Sequence, residues 1–251
     1  MNELISQLQT ELPDFFGGST DTALFSTSDG LILTLLLQLI PMALGLALSI
    51  PLAFARNATS VWIAKPVWMY TCLFRGTPML VQLFLIYYGL AQFDIVKDSS
   101  LWDYLRDPYC CALLTFTLNT TAYTTEILAG QLRGIDWREI EAAQSLGMSR
   151  WKMNMHIVLP SALRRSLPAY SNEVIMLLHG TSIVSLVTLT DITGVARHIY
   201  SDTYNPFEPF MIAGAIYLML TWLITRIFMK MERRWLAFLK PITANSRAKT
   251  Q

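Results

Sequence analysis

Long apolar blocks, separated by short polar connectors, set the pattern of this chain. A bilayer-spanning helix needs about 20 apolar residues. Stretches of that length run over residues 30–55, 61–92, 108–132, 163–189 and 207–231, which predicts five spans. Pro41 and Pro51 lie inside the first, and Arg75-Gly76-Thr77-Pro78 interrupts the second. The second is long for a single crossing, so a tilted helix or one with a broken first turn is expected. No connector is long enough for a soluble domain between spans. The pattern predicts an all-α membrane protein.

Lys and Arg residues in the connectors orient the spans, because cytoplasmic loops carry the excess. Residues 1–29 hold none, against Glu3, Glu11, Asp14, Asp21 and Asp29. Arg56 and Lys65 follow the first span, and residues 94–107 are rich in acid. The next connector carries Arg133, Arg138, Arg150, Lys152, Arg164 and Arg165. Arg197 stands alone between Asp191 and Glu208, and the C-terminal segment is basic again. The alternation places the N-terminus outside, in the periplasm, and the C-terminus inside, in the cytoplasm. The expected organisation is an external segment over 1–29, a membrane domain over 30–235 with an inside loop over 133–160, and a cytoplasmic tail over 236–251.

Composition agrees. Hydrophobic residues make up 53% and charged residues 15%, against about a quarter charged in soluble domains; mean hydropathy is +0.40. The net charge of +1 leaves no electrostatic footprint for nucleic acid, which is not expected as a partner. Cys72, Cys110 and Cys111 have no metal spacing, and adjacent cysteines bridge poorly, so all three are read as small apolar residues. The first apolar run begins only near Leu31 without a basic segment before it, which predicts an uncleaved anchor rather than a signal peptide.

The inside loop has internal structure. Residues 136–146 read as a short amphipathic helix, with Asp136 as N-cap and Glu139 completing a capping box. Gly147 is suited to the left-handed turn that ends such a helix. A second helix is expected from Ser149 until Pro160 stops it. Ala142 and Ala143 form a low surface open to close approach, and Glu139 and Glu141 are placed to pair with bases on a partner. The bland alternative is an amphipathic helix lying on lipid. Against it stands the complete spacing of Glu141-Ala142-Ala143, Gly147, Ile157 and Leu159-Pro160.

That spacing resembles the signature cytoplasmic loop of binding-protein-dependent ABC importers, which docks on the ATP-binding subunit. The resemblance assigns Asp136, Glu139, Glu141, Ala142, Ala143, Gly147 and Arg150 to coupling with that subunit. Phe74-Arg75-Gly76-Thr77-Pro78, Gln82-Leu83, residues 118–126 and Leu167-Pro168-Ala169-Tyr170-Ser171-Asn172-Glu173-Val174 narrow it further. They are similar to the polar amino-acid permeases, most closely the HisM-type membrane subunit of histidine/lysine/arginine/ornithine importers. The resemblance implies a type I importer permease fold of five spans in the bacterial inner membrane. It also implies a companion permease of the HisQ type, an ATPase dimer and a periplasmic substrate-binding protein. The transported class would be basic amino acids, with other polar amino acids or opines as the alternative.

Ionisable residues inside spans are candidates for function. Thr115, Asn119, Tyr123 and Glu126 fall on one stripe of the third span. They line either a translocation path or a hydrogen-bonded helix seam. For Glu126 the seam is favoured, with Arg75 as the expected partner. Glu173 in the fourth span shares a stripe with Leu177, Gly180 and Val184; Gly180 is expected to leave open space there. A lone carboxylate facing that space suits a cationic ligand; a structural ion pair is the other reading. Asn119, Tyr123, Asn172, Glu173, Gly180 and Thr181 form the candidate substrate set.

Similar permeases often read Lys-Asp-Ser/Thr where this chain has His179-Gly180-Thr181. The second acid is therefore missing, which implies a heterodimer whose halves each supply one. His179 lies about 120° from Glu173 around the helix. His156 and His198 read as surface residues.

An intramembrane hydrolase is the competing class, since Ser182 follows His179 by three residues. No Gly-x-Ser-x-Gly turn, His-Glu-x-x-His pair or phosphate-binding Gly-x-x-x-x-Gly-Lys-Ser/Thr loop accompanies it. The chain is expected to be no enzyme, to hold no cofactor or metal, and to leave ATP and Mg to the partner ATPase.

Overall fold

The computed structural model describes residues 30–236, and the expectations placed on residues 1–29 and 237–251 lie outside that range. The described residues are helical throughout, with a single isolated parallel bridge between Gly30 and Asp191. Helix α1 covers Leu31–Arg56 and α2 covers Val61–Gly76. Helix α3 (Met79–Phe84) continues through a π-turn, Leu85–Gly89, and a 3-10 turn, Leu90–Gln92. Two short helices, α4 (Asp94–Lys97) and α5 (Trp102–Leu105), lead to α6 (Pro108–Arg133). The loop helices are α7 (Trp137–Ser145) and α8 (Arg150–Met153), the latter running through a π-turn, Asn154–Val158, into α9 (Leu159–Thr181). A 3-10 turn, Ser182–Val187, then α10 (Ile192–Thr203) and α11 (Phe207–Trp235) complete the order.

Two of these helices, α1 and α11, are long and apolar enough to cross a membrane. A third crossing results if α2 and the α3 segment, bent by 105° at their junction, count as one. The break falls at Gly76-Thr77-Pro78 in mid-segment, not in the first turn. Pro78 has no N–H to offer and restricts the residue before it to an extended backbone; Thr77 accordingly sits at φ −117°, ψ 145°.

Helix α6 is the centre of the bundle. Its sequence alternates small and hydroxylated residues, which let neighbours come close but lower its hydropathy. Helix α1 approaches along a stripe of Pro41, Gly45, Ser49 and Ala53, one turn apart and all buried. A Cβ on Gly45 would lie 2.4 Å from Thr120 Cγ2 and 3.3 Å from the Thr121 backbone nitrogen. Toward the N-terminal end of α1, Leu33, Leu37, Leu83, Phe116, Leu177 and Val184 close one apolar cluster across five elements.

Where α1 begins, the segment around Asp191 fastens three helices. The Asp191 side chain is fully buried and accepts from the Gly194 N–H (2.9 Å) and the Tyr217 hydroxyl (2.9 Å). Gly30 donates its N–H to Thr190 O at 2.7 Å, while Thr34 Oγ1 accepts from the Ile192 N–H at 3.3 Å. Ile192, Val195, Ala196 and Ile199 then bury one face of α10 on Ala213, Ile216 and Leu220 of α11.

The close approach at Gly45 is testable. Gly45→Val forces α1 and α6 apart against a backbone atom. The expected loss is about 1–3 kcal/mol, the usual range for overpacking, read as a lowered melting temperature of the detergent-solubilised complex. An unchanged melting temperature would show that the seam yields freely.

Candidate functional site

The loop between α6 and α9 is built by local rules. Asp136 caps α7 by accepting the Arg138 N–H at 3.0 Å. At the other end Gly147 takes φ 71°. Its N–H reaches Gln144 O (2.9 Å), and the Met148 N–H reaches Ala143 O (3.2 Å). This is a Schellman closure, with Met148 and Ala143 in the same apolar cluster. A Cβ on Gly147 would touch nothing within 4 Å, so only the sign of φ demands glycine there.

Several expectations for this loop are corrected. Ala143 is 2% exposed and packs inward with Ile135, Met153, Val158 and Ala162, so only Ala142 belongs to the outer surface. Glu139 does not close a capping box and does not wait for a partner's base. Its carboxylate is held by Arg165 Nη2 at 2.9 Å. Pro160 does not stop the second helix. It sits in the first turn of α9, where a missing N–H is tolerated, and the π-turn before it carries the helix through without a break. Glu141 and Arg150 are exposed, as required of docking residues. Sequence reasoning missed Trp137, Leu146 and Trp151, which stand 63%, 81% and 71% exposed on the same loop. Three large apolar residues in an otherwise polar connector were the available signal.

The polar stripe of α6 meets the break between α2 and α3. Four carbonyls near that break lose helical partners, and side chains satisfy each. Thr77 Oγ1 donates to Leu73 O at 2.8 Å. Gln82 Nε2 donates to Phe74 O at 2.7 Å and Thr77 O at 3.0 Å. Tyr123 donates its hydroxyl to Arg75 O at 3.4 Å. Asn119 Nδ2 in turn donates to Gln82 Oε1 at 2.9 Å. Asn119 and Tyr123 thus hold the bend, which is the seam alternative for both.

Glu126 is paired with Arg56, not Arg75. Arg56 Nε lies 2.7 Å from its Oε1, and Thr71 Oγ1 donates to the same atom at 2.8 Å. The close packing of α1 brings its last residue to the C-terminal part of α6. Arg75 instead lies over the Tyr123 ring, 5.4 Å from the centroid.

Glu173 is 8% exposed on α9. Thr120 of α6 lies beside its carboxyl, and Arg75 is the nearest charge acting on it. Among the described residues it has no cationic nitrogen within ion-pair distance. The open space expected at Gly180 is absent: a Cβ there would lie 2.8 Å from Met79 Cε, because α3 packs directly on it. Leu177 and Val184 on the same stripe are also buried. Thr181 is buried and turns its hydroxyl back to Leu178 O at 2.7 Å. Asn172 is exposed beside Glu173. His179 faces away from Glu173, with Nε2 3.2 Å from Thr221 Oγ1 of α11.

An apolar helical bundle with a structured basic loop and a buried acid defines a class of transport protein. Residues 45–237 match the family described as binding-protein-dependent transport system inner membrane component, and the chain belongs to that family. It is 45% identical over 203 residues to the octopine transport system permease protein OccM of Rhizobium radiobacter, covering 81% of this chain and 83% of that one. Against the histidine/lysine/arginine/ornithine transport system permease protein HisM of Escherichia coli K12 it is 43% identical over 213 residues, 84% and 90% of the two chains. The nopaline permease NocM of Agrobacterium fabrum is 42% identical over 200 residues, 79% and 83% of the chains. In structure it matches an amino acid ABC transporter crystallised with histidines, with TM-score 0.75, 29% identity and coverage of 92% and 98%. The inward-facing methionine transporter MetNI matches with TM-score 0.66 at 16% identity, over 80% and 92% of the chains, and shows the shared fold. The chain is therefore a membrane subunit of an amino acid ABC importer and not itself an enzyme.

The seam makes its own prediction. Gln82→Leu removes the donor from Thr77 O and the short bond to Phe74 O, and leaves the Asn119 amide only its 3.5 Å bond to Phe74 O. Each buried group left unpaired costs about 1–3 kcal/mol. Thr77→Val strands fewer groups and is expected to cost less. Thermal unfolding of both variants checks the order, and equal stability would exclude Gln82 as the clasp of the bend.

Proposed function

We propose that this chain is one half of a heterodimeric permease that imports basic amino acids, with Glu173 as its acid for the substrate cation. The observation that carries the reading is a buried carboxylate with no ion pair among the described residues. Burying a lone charge is costly unless a partner completes it. A guanidinium, ammonium or imidazolium side chain would do so, and a guanidinium would bind bidentately. OccM, HisM and NocM are named for octopine, for histidine, lysine, arginine and ornithine, and for nopaline; a nitrogen base is common to all of these. His179-Gly180-Thr181 supplies no second acid, so a HisQ-type companion is proposed to bring one. Exposed Asn172 is the nearest member of the candidate set left free to add a hydrogen bond.

The proposed topology has five spans, with α6 and α9 crossing beside α1, the α2–α3 pair and α11. The N-terminus lies in the periplasm and the tail in the cytoplasm of the inner membrane. Support comes from the alternating Lys and Arg counts and from the 26 residues of α6, about 39 Å at 1.5 Å each. The polar residues of α6 are buried in protein, which removes the objection to its low hydropathy. The loop from Arg133 to Pro160 docks on an ATPase dimer through Glu141, Ala142, Arg150 and the exposed Trp137, Leu146 and Trp151. A periplasmic binding protein delivers the substrate, and ATP and Mg belong to the ATPase.

Glu173→Gln keeps the shape and most hydrogen bonds but removes the charge. Uptake of basic amino acids is expected to fall roughly 5- to 150-fold, equivalent to about 1–3 kcal/mol, the worth of one charge-assisted hydrogen bond, while the complex keeps its melting temperature. Normal uptake by this variant would sink the substrate role. Glu141→Lys is expected to weaken recovery of the ATPase with the membrane subunits. For topology, a reporter active only in the periplasm should work near Ser99 and fail near Arg150; activity at Arg150 would invert the orientation.

A further inference from the structure

We infer that Arg165 is the positioning residue that makes the docking loop and the substrate-site helix move as one body. The inference rests on the docking and substrate roles proposed for α7 and α9. Arg165 lies in the second turn of α9 with its side chain 19% exposed. Nη2 holds the Glu139 carboxylate of α7 at 2.9 Å, and Nη1 holds the Gly134 carbonyl at the end of α6 at 3.0 Å. The buried Nε has no acceptor, so these two bonds to the loop are its pairing.

The chain path explains why such a tie is needed. From α8 through the π-turn into α9 the backbone is helical without interruption. Helix α7 joins this rod through the hydrogen-bonded turn at Gly147 and the packing of Ala143 on Met153, Val158 and Ala162, all near one corner. Without a further tie, a push on α7 would strain that corner before it moved α9. Arg165 closes the third side of a triangle formed by α7, the α8–α9 rod and the end of α6. Ile135, Ala143, Met153, Val158 and Ala162 fill its inside. A closed triangle does not fold at one corner, so displacement of α7 passes to α9. Glu173 is eight residues further along that helix, about 12 Å away along its axis. A guanidinium is the side chain that can grip a carboxylate and a carbonyl at once through a rigid fork.

The test uses the complete complex, with companion permease, ATPase and binding protein, reconstituted in vesicles. Substrate uptake and ATP hydrolysis are measured together. Arg165→Gln is expected to assemble and hydrolyse ATP while uptake per ATP falls about tenfold, the fold-change of one lost charge-assisted hydrogen bond. Arg165→Lys keeps the charge without the fork and should fall between. Combining Arg165→Glu with Glu139→Arg should raise the ratio severalfold above Arg165→Glu alone. A wild-type ratio in Arg165→Gln, or no gain from the exchange, overturns the inference. If Arg165→Gln yields no complex, Glu139→Gln decides, because it spares the Gly134 bond: a lowered ratio supports the tie, and an unchanged ratio overturns it. Glu141→Lys serves as the control for docking. If it leaves ATPase binding intact, the docking reading fails; if it weakens binding while Arg165→Gln keeps its ratio, only the tie fails.

Discussion

The closeness of α1 to α6 is the constraint on which the other contacts depend. Between helices in lipid there is no hydrophobic gain from association, so close packing and hydrogen bonds have to hold them. Gly45 provides the approach by leaving the room that the Thr120 methyl occupies. From that distance Gln38 on α1 reaches the Val174 carbonyl on α9 at 2.8 Å. Arg56 reaches Glu126, and Asn57 reaches Ala129 O at 3.0 Å. Thr120, gripped on one side by α1, lies beside Glu173 on the other. Bonds with a reach of about 3 Å do not survive a helix displaced by a side chain's width.

Backbone groups exposed at a helix break are tolerated at membrane depth only when protein satisfies them. The 105° bend meets that condition with side chains from its own two arms and from α6. Asn119 and Tyr123 are thereby engaged in the bend. The acid on α9, for which a substrate role is proposed, is separate from this polar seam.

Much of this was legible in the sequence. Helix boundaries follow the apolar blocks to within a few residues at α1, α6 and α11, because each is ended by a polar connector. The turn at Gly147 follows from local backbone rules. Pair partners were not legible. Arg56, Arg75 and Arg165 are equivalent on paper, and only the packing of α1 on α6 and of α7 on α9 assigns them to Glu126, Tyr123 and Glu139. Ala143 and Gly180 failed for a related reason: a small residue permits either an opening or a neighbour, and here a neighbour fills both places. Pro160 was misread because a π-turn absorbs a proline without ending the helix.

The composition of α6 bears on how the protein is made. Thr115, Asn119, Thr120, Thr121, Thr124, Thr125 and Glu126 lie on a helix that lipid alone would hold poorly. Thr115, Asn119, Thr121 and Glu126 find partners on α1, on α2 and α3, or on their own backbone, while the buried Thr124 and Thr125 hydroxyls have none among the described residues. On the proposed topology those partners precede α6 in the chain, so they leave the ribosome first. Helix α1, the most apolar of the set, can wait in the bilayer for it. Segment order along the gene is then also an order of assembly, in which early helices act as a template that admits a later, more polar one.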